Sequence, residues 1–551
     1  MRKLITVWLG LILIYSVAFS AIFYIDPING SDAGNGSAAS PWQSIQKTLD
    51  LPEARAKAAA GGEITFILKG GNYGVFNLTS AAGRPKAAAA GTWTTYQAAP
   101  GEEPVFEGMR FVFDELTPLC MKFDGIHVRT PKGNAKAAKA ALDGFSSGPI
   151  HLDYVSNVEY LNGKFIGPGQ SPDSPDGAYV MHSRNLRFEN NEVRDVDRGL
   201  LFAYCSDGVV LGNHIHRLGG TGVKYAMGNS NFLIERNHIH NSMTGGGIHS
   251  SAISIRSGDV IIRGNIMHDG FASSGMMTYN EDNGTYFSFK NVTIENNLMY
   301  DIANTYVMRL YNLVSNIVIR NNTFIGKTYV GKEHVGTMCL STAIAFHSGT
   351  ASALSVYNNI LIGACFLPAA AKVGHNIMWS YKPDDWTCVG PGGSKVLTCI
   401  SASKPYNYVD ALFTGTPNYN PLHHQIIDYG PVPGSEAINF GDASKQPVTS
   451  LGTLDANGFI QQNGPVRGAN HHSAGAYEFG TGNISILDKN QLPGVSSGMV
   501  HNPLRLNETR ILGNYEVVDM HGSRIHPARI NGAGVYMVRV DEIWRKIVIV
   551  K

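Results

Sequence analysis

The stretch NFLIERNHIHN, from Asn231 to Asn241, has two readable halves: an alternating apolar run, Phe232 and Ile234, and an asparagine, Asn237, followed two places on by Ile239. Alternation of this kind marks a strand with one buried face. The same pattern recurs as NVEYLNGKFIG, NLRFENNEVRD, DGVVLGNHIHR, DVIIRGNIMHD, NVTIENNLMYD, NIVIRNNTFIG and ALSVYNNILIG between Asn157 and Gly363, and Asn376 in GHNIM continues it. The aligned asparagines are Asn191, Asn213, Asn237, Asn265, Asn297, Asn322 and Asn359, with Gly163 in their place in the first copy. Subtracting neighbouring numbers gives intervals of 22, 24, 28, 32, 25 and 37 residues, the variation expected when insertions sit in loops between repeated rungs.

An inward asparagine at every bend can pass amide hydrogen bonds to the asparagines above and below, satisfying the polar groups of a buried turn. The fold expected is therefore all-β: a parallel β-helix, a solenoid with an asparagine ladder. A lone amphipathic helix ahead of the first rung suits a cap over an open coil end. The spacing of SPWQSIQKTLD predicts that helix from Ser40 as N-cap, with Pro41 as first helical residue and Gln43 as capping-box partner, to about Ala60. Asp26 and Asp32 read as turn-stabilising acids in preference to cation ligands.

Composition is consistent with this. The chain has 551 residues, 43% hydrophobic and 16% charged, and 62 glycines suit a protein full of tight turns. Lys+Arg of 44 against Asp+Glu of 43 leaves a formal charge of +1, so no global field points to nucleic acid or an anionic membrane. The six cysteines lack CxxC metal spacing, and Cys388 and Cys399, flanking a GPGG loop, are the pair expected if a disulfide forms.

The first 20 residues read as a secretory signal: Arg2 and Lys3, an apolar run, then Ala18-Phe19-Ser20. No other segment is long and apolar enough to span a bilayer. Residues 21–480 form the expected β-helix domain. Residues 481–551 form a linker and a small C-terminal β-sandwich of alternating strands. No oligomer signal stands out, and a monomer is expected.

The histidines of the opening stretch belong to a ladder, His214, His216, His238, His240 and His268, expected to stack along one outer face as surface filler with the chemistry elsewhere. A second set of strands precedes the repeats: LLFAY, GVKYAM, AISIRS, GMMTYN, VMRLYN and AIAFHS. Alternation turns Val223, Tyr225, Ile253, Ile255 and Leu310 inward. Lys224, Ser254, Arg256, Thr278, Arg309 and Tyr311 are then expected outward, with Tyr204, Asn280 and His347 in less certain register; His249 and His182 lie at the same stage of their coils.

Taken together, YIDPINGSDAGNGS, PWQSIQKTLD, GGNYG, YQAAPGEEPVFEG, the repeats, PGSEAINFGD and RGANHHSAGAYEFG resemble secreted bacterial right-handed parallel β-helix proteins of the pectate-lyase-like superfamily, over Phe23 to Gly480. The resemblance implies an extended sugar chain bound in a groove along one sheet; it does not choose among lyases, hydrolases, epimerases and non-catalytic adhesins. The segment from His501 to Lys551, with VVDMHGSRI and GVYMVRV, resembles the C-terminal sorting domain of the type IX secretion system, which implies a secreted or surface-attached protein and that machinery as a partner.

A row of outward Lys, Arg, Tyr and His suits an anionic polysaccharide. β-Elimination from a uronate needs a base, a cation on the carboxylate and a proton donor for the leaving oxygen. The expected catalytic set is Lys224 as base, its pKa lowered by Arg256 and Arg309 beside it, one of those arginines on the carboxylate, and Tyr311 or His249 as donor. Arg309, Tyr204, His182, Asn280 and His347 are expected substrate contacts. A hydrolase needs two facing carboxyl groups, for which Asp195, Asp197, Asp207, Glu281 and Asp282 are the available acids. No cofactor is implied, although the NEDNG loop from Asn280 could supply oxygen ligands to Ca2+.

Overall fold

The computed structural model describes residues 21–50, 63–79, 93–130, 148–244, 250–278, 289–303, 306–326 and 342–380, with short strand or turn segments at 281–282, 285–286, 395–398, 443–445, 516–519, 524–525, 534–540 and 543–549. It is built almost wholly of strands in long parallel sheets, a right-handed parallel β-helix. Two compact units are distinguished: residues 1–168, 175–192 and 205–208, and residues 169–174, 193–204 and 209–551.

In the first unit, Ala21–Ile25, Ile64–Leu68, Thr94–Ala98, Gly108–Asp124, Ile150–Leu161 and Arg184–Glu189 pair in parallel so that Phe23, Phe66, Tyr96, Phe123, Tyr160 and Phe188 fall in one register. Their rings form a column through the core, with successive centroids 5.8, 5.2, 5.1, 4.8 and 5.4 Å apart. Strand spacing of about 4.8 Å is close to the offset-stacking distance of aromatic rings, so one aromatic per rung fills the column without voids.

The expected capping helix is found only in part. Its described portion is Lys47–Asp50, and residues 51–62 lie outside the described residues. Ser40 is not its N-cap: it bridges Ser37, while Trp42 pairs with Ile25 and its buried ring stacks on Phe23 at 4.9 Å. Asp32 instead ties down the turn ahead of the helix, its carboxylate accepting the backbone N–H groups of Gln43 (3.0 Å) and Ser44 (2.9 Å) and the Ser44 hydroxyl (2.7 Å). Asp26 likewise accepts the N–H groups of Ile28 and Asn29 and pairs with Lys69 at 3.2 Å. Both acids stabilise turns, Asp26 through an Asx-turn and Asp32 by reaching across to residues 11 and 12 positions on.

In the second unit the ladder forms as the sequence predicts. Asn213, Asn237, Asn265, Asn297, Asn322 and Asn359 each donate a side-chain N–H to the amide oxygen of the next, ending at Asn376, over 2.9 to 3.0 Å. All seven side chains are buried. The residue before each has positive φ: Gly212 (63°), Arg236 (54°), Gly264 (64°), Asn296 (56°), Asn321 (53°), Asn358 (59°) and His375 (52°). This left-handed corner explains why glycine or asparagine recurs there. The alternating residues before it, such as Phe232 and Ile234 or Val260 and Ile262, are buried in register.

Toward the C-terminus, Glu516–Asp519, Arg524–Ile525, Gly534–Val540 and Ile543–Ile549 make one four-stranded antiparallel sheet. The expected signal segment, Cys388 and Cys399 lie outside the described residues. Cys120, Cys205 and Cys365 are buried and not disulfide-bonded. No helix among the described residues is long and apolar enough to cross a membrane.

Candidate functional site

The strands Leu200–Ala203, Val223–Tyr225, Ser251–Ile255, Ser274–Thr278, Tyr306–Leu310 and Thr342–Phe346 present one face of the second unit outward. Their register sets Leu201, Lys224, Ser254, Met277, Arg309 and Ala345 in one file of the non-core parity, in which Lys224 and Arg309 are half-buried whereas Leu201, Met277, Ala345 and the expected outward Ser254 are buried. Lys224 and Arg309 are thus three strand steps apart, roughly 14 Å at a spacing of about 4.8 Å. That exceeds the screening length of about 8 Å at physiological salt, so the expected activation of Lys224 by an adjacent Arg309 has no geometric basis. Arg256 is one rung from Lys224 but two residues further along, its N–H donating to Tyr225 O at 2.8 Å.

What assembles instead is a cluster around Arg309. Its guanidinium carbon lies 3.9 Å from the centroid of the Tyr306 ring, a cation–π contact, and its Nε is buried without a hydrogen-bond partner among the described residues. His347 lies just past the end of the next strand, Thr342–Phe346. Its ring meets Tyr306 edge-on at 5.8 Å and stacks flat on Tyr311 at 4.4 Å. Burial, then the Arg309 charge, lowers the His347 pKa below 6.5, which keeps the imidazole neutral at neutral pH. Alternation gave no sign of Tyr306, which has the parity of the inward Met308 and Leu310; only an aromatic three residues before an arginine was there to be read.

The other expected site residues are dispersed. Tyr204 is exposed, its ring beside Gly228 and its hydroxyl donating to Met227 Sδ at 2.9 Å; a Cβ on Gly228 would come within 2.3 Å of that ring. His182 belongs to the first unit, where its Nδ1 lies 2.9 Å from Asp153 and its ring stacks on Tyr154 at 4.5 Å. Thr278 is not outward: it is in register with inward Ile255, is buried, and its hydroxyl donates to Tyr311 O at 3.0 Å while accepting the Tyr311 N–H at 2.6 Å. His249 and Asn280 lie outside the described residues, as do the side chains of Glu281 and Asp282, whose backbone forms a short hairpin with Thr285–Tyr286.

Among the described residues the six outward strands carry no carboxylate. Asp195 is buried on another strand between Arg194 and Arg217, the latter at 2.7 Å, and Asp197 faces Arg198 at 3.8 Å.

The histidine ladder stacks in register, His214 on His238 and His216 on His240 and His268, with Tyr300 beyond His268 at 4.7 Å. It is not surface filler, for His238, His240 and His268 are 4%, 9% and 3% exposed. His214 Nε2 lies 2.8 Å from His240 Nε2, and His238 Nε2 lies 2.8 Å from His268 Nε2. Burial, followed by the neighbouring imidazoles, lowers the basicity of His240 far below the ordinary value.

A family model described as a right handed beta helix region matches residues 124–256. No curated protein matches the chain. Among solved structures it is similar to a rhamnogalacturonan lyase, at 13% identity over 65% of this chain and 87% of that one, with a TM-score of 0.36. It is also similar to the pectate lyase Pel9A, at 14% identity over 82% of this chain and 96% of that one, with a TM-score of 0.33. A third similar structure is the Streptococcus pneumoniae surface protein and adhesin PfbA, at 12% identity over 64% and 96%, with a TM-score of 0.36.

Proposed function

We propose that this protein is an exported carbohydrate-active β-helix protein that binds an extended, uronate-containing polysaccharide along the outer face of the second unit and cleaves it by β-elimination. The observation that carries the reading is the Arg309 cluster: a cation, a neutral histidine and two tyrosines within one another's reach on strands that carry no carboxylate among the described residues.

Elimination breaks a C–H bond next to the uronate carboxyl and a C–O bond one carbon further on, leaving a double bond between those carbons. Arg309 is suited to neutralise the carboxylate, which makes the proton acidic enough to remove. His347, neutral at working pH, accepts that proton, and the hydroxyl of Tyr311 or Tyr306 protonates the departing oxygen. Lys224, roughly 14 Å from Arg309, and Arg256, two strand steps from it, would hold carboxylates of other residues of the same sugar chain. Of the acids a hydrolase would draw on, Asp195 and Asp197 are engaged by arginines. Export rests on the signal-like residues 1–20 and the sorting-domain resemblance of the C-terminal segment.

The test is to incubate the protein with a panel of polyuronates and neutral polymers, following ultraviolet absorbance from a new sugar double bond together with new reducing ends. Both signals on a polyuronate, abolished in Arg309→Ala, are expected. Reducing ends alone would move the assignment to a hydrolase, and neither signal with retained binding would make the protein an adhesin-like sugar binder.

A further inference from the structure

The two HxH pairs of NHIHR and NHIHN repeat one rung apart, so the fold lays four imidazoles on a two-by-two grid. His214 and His216 share a face of one strand, and His238 and His240 lie in register with them on the next. Strand spacing of about 4.8 Å in one direction and roughly 6.7 Å between alternate residues in the other brings diagonal rings tip to tip. His214 and His240 meet in this way at 2.8 Å between Nε2 atoms, and His268, one rung on, meets His238 at the same distance.

We infer that His214, His238 and His240 form a binding site for an imidazole-preferring divalent transition metal, of the class of Zn2+, Ni2+ or Cu2+. One ligand nitrogen from each of the three lies within 4.8 Å of the other two. Ligands on a tetrahedral ion with metal–nitrogen bonds of about 2.0–2.1 Å sit about 3.3 Å apart, so the observed 2.8 and 4.8 Å limits bracket what an ion requires and small side-chain rotations close the site. The donor set is all nitrogen, which selects against Ca2+ and Mg2+. His268 stands beside His238 as a fourth imidazole.

Burial separates this arrangement from a surface histidine patch. His238 and His240 are almost wholly covered, whereas His214 and His216 are half-buried and form the rim by which an ion enters. An ion held there ties together two rungs whose ladder asparagines, Asn213 and Asn237, are 24 residues apart. It is a structural staple on a strand other than those carrying the Arg309 cluster.

The full-length mature protein, stripped with EDTA and dialysed against ZnCl2, is expected to take up one equivalent more than the double variant His214→Gln/His240→Gln and to melt at higher temperature with Zn2+ than without; the variant should show no such shift. His423, His424, His471 and His472 also occur in the chain, so the difference between proteins, not total uptake, is read. His182→Gln, in the first unit, should bind as the wild type does. If the double variant fails to fold, His214→Gln alone, at the half-buried rim, serves: its Co2+ visible absorption should be weaker than wild type and its Zn2+ affinity lower by at least about tenfold, the lower end of what altering a metal site does. Equal uptake and equal Co2+ spectra in wild type and variant would overturn the assignment, as would a wild type that takes up no metal. Neither result depends on whether the protein cleaves polysaccharide.

Discussion

The ring of His347 lies flat on that of Tyr311, their centroids 4.4 Å apart and their planes 9° from parallel. The stack holds the imidazole within the field of Arg309, and the two influences on His347, burial first and that charge second, both favour its neutral form. If His347 is the base, activity depends on an unprotonated ring, so kcat/KM should hold at mildly acidic pH and fall only below the ordinary histidine value. Arg309→Gln removes one of the two causes. The acid limb of the residual activity should then move upward toward pH 6.5; a pH–rate profile of the two proteins checks it, and an unmoved limb would assign the titration to another group.

Lys224 should behave differently. Three strand steps separate it from Arg309, so Lys224→Ala should raise KM on long chains several-fold while leaving kcat within about twofold, the signature of a contact used equally in ground and transition states. A kcat loss of a hundredfold or more would return Lys224 to the role of base. Initial rates on chains of graded length separate the two.

The ladder makes a prediction about stability. Asn297 donates to Ile262 O, Glu295 O and Asn322 Oδ1, and its own Oδ1 accepts from the backbone and side chain of Asn265. Asn297→Ala strands several buried polar groups and should cost about 2–4 kcal/mol. Asn77→Ala, exposed on the strand Val75–Thr79 and not at a positive φ, should change stability by less than about 0.5 kcal/mol. Urea titrations of both variants test the contrast.

A pH effect on stability is expected in the first unit. His151 has its pKa lowered to about 4 by burial and then by Arg110, with Asp153 opposing. Its folded value lies below its unfolded value of about 6.5, so in that window the unfolded chain binds the proton and the folded chain does not. The contribution is fully present above pH 6.5 and is lost as pH falls toward 4. His151→Gln should therefore flatten the decline of the melting temperature between those values.

How much of this the sequence disclosed depended on periodicity. The ladder asparagines, the buried Phe232 and Ile234 and the outward Lys224 and Arg309 all follow a strict repeat, and strict repeats are what alternation can decode. Thr278 was misread because GMMTYN offers methionine on both parities, so composition does not say which face is buried. Ser40 fails as a cap because it closes a bridge with Ser37 while Asp32 holds Gln43 and Ser44 across the turn, contacts no local spacing encodes. Tyr306 went unseen because its parity is inward while its ring turns to Arg309. The histidine ladder was read as exposed because alternation distinguishes the core face from the other face but does not say what covers the latter.

The ladder bonds stay at 2.9 to 3.0 Å whether the chain between neighbouring asparagines is 17 residues long, from Asn359 to Asn376, or 37, from Asn322 to Asn359. Scaffold geometry is therefore insulated from loop length. Segments between rungs can be lengthened, shortened or exchanged with those of another solenoid while the corner residues keep each coil in phase, so new specificities can be grafted onto this frame one excursion at a time.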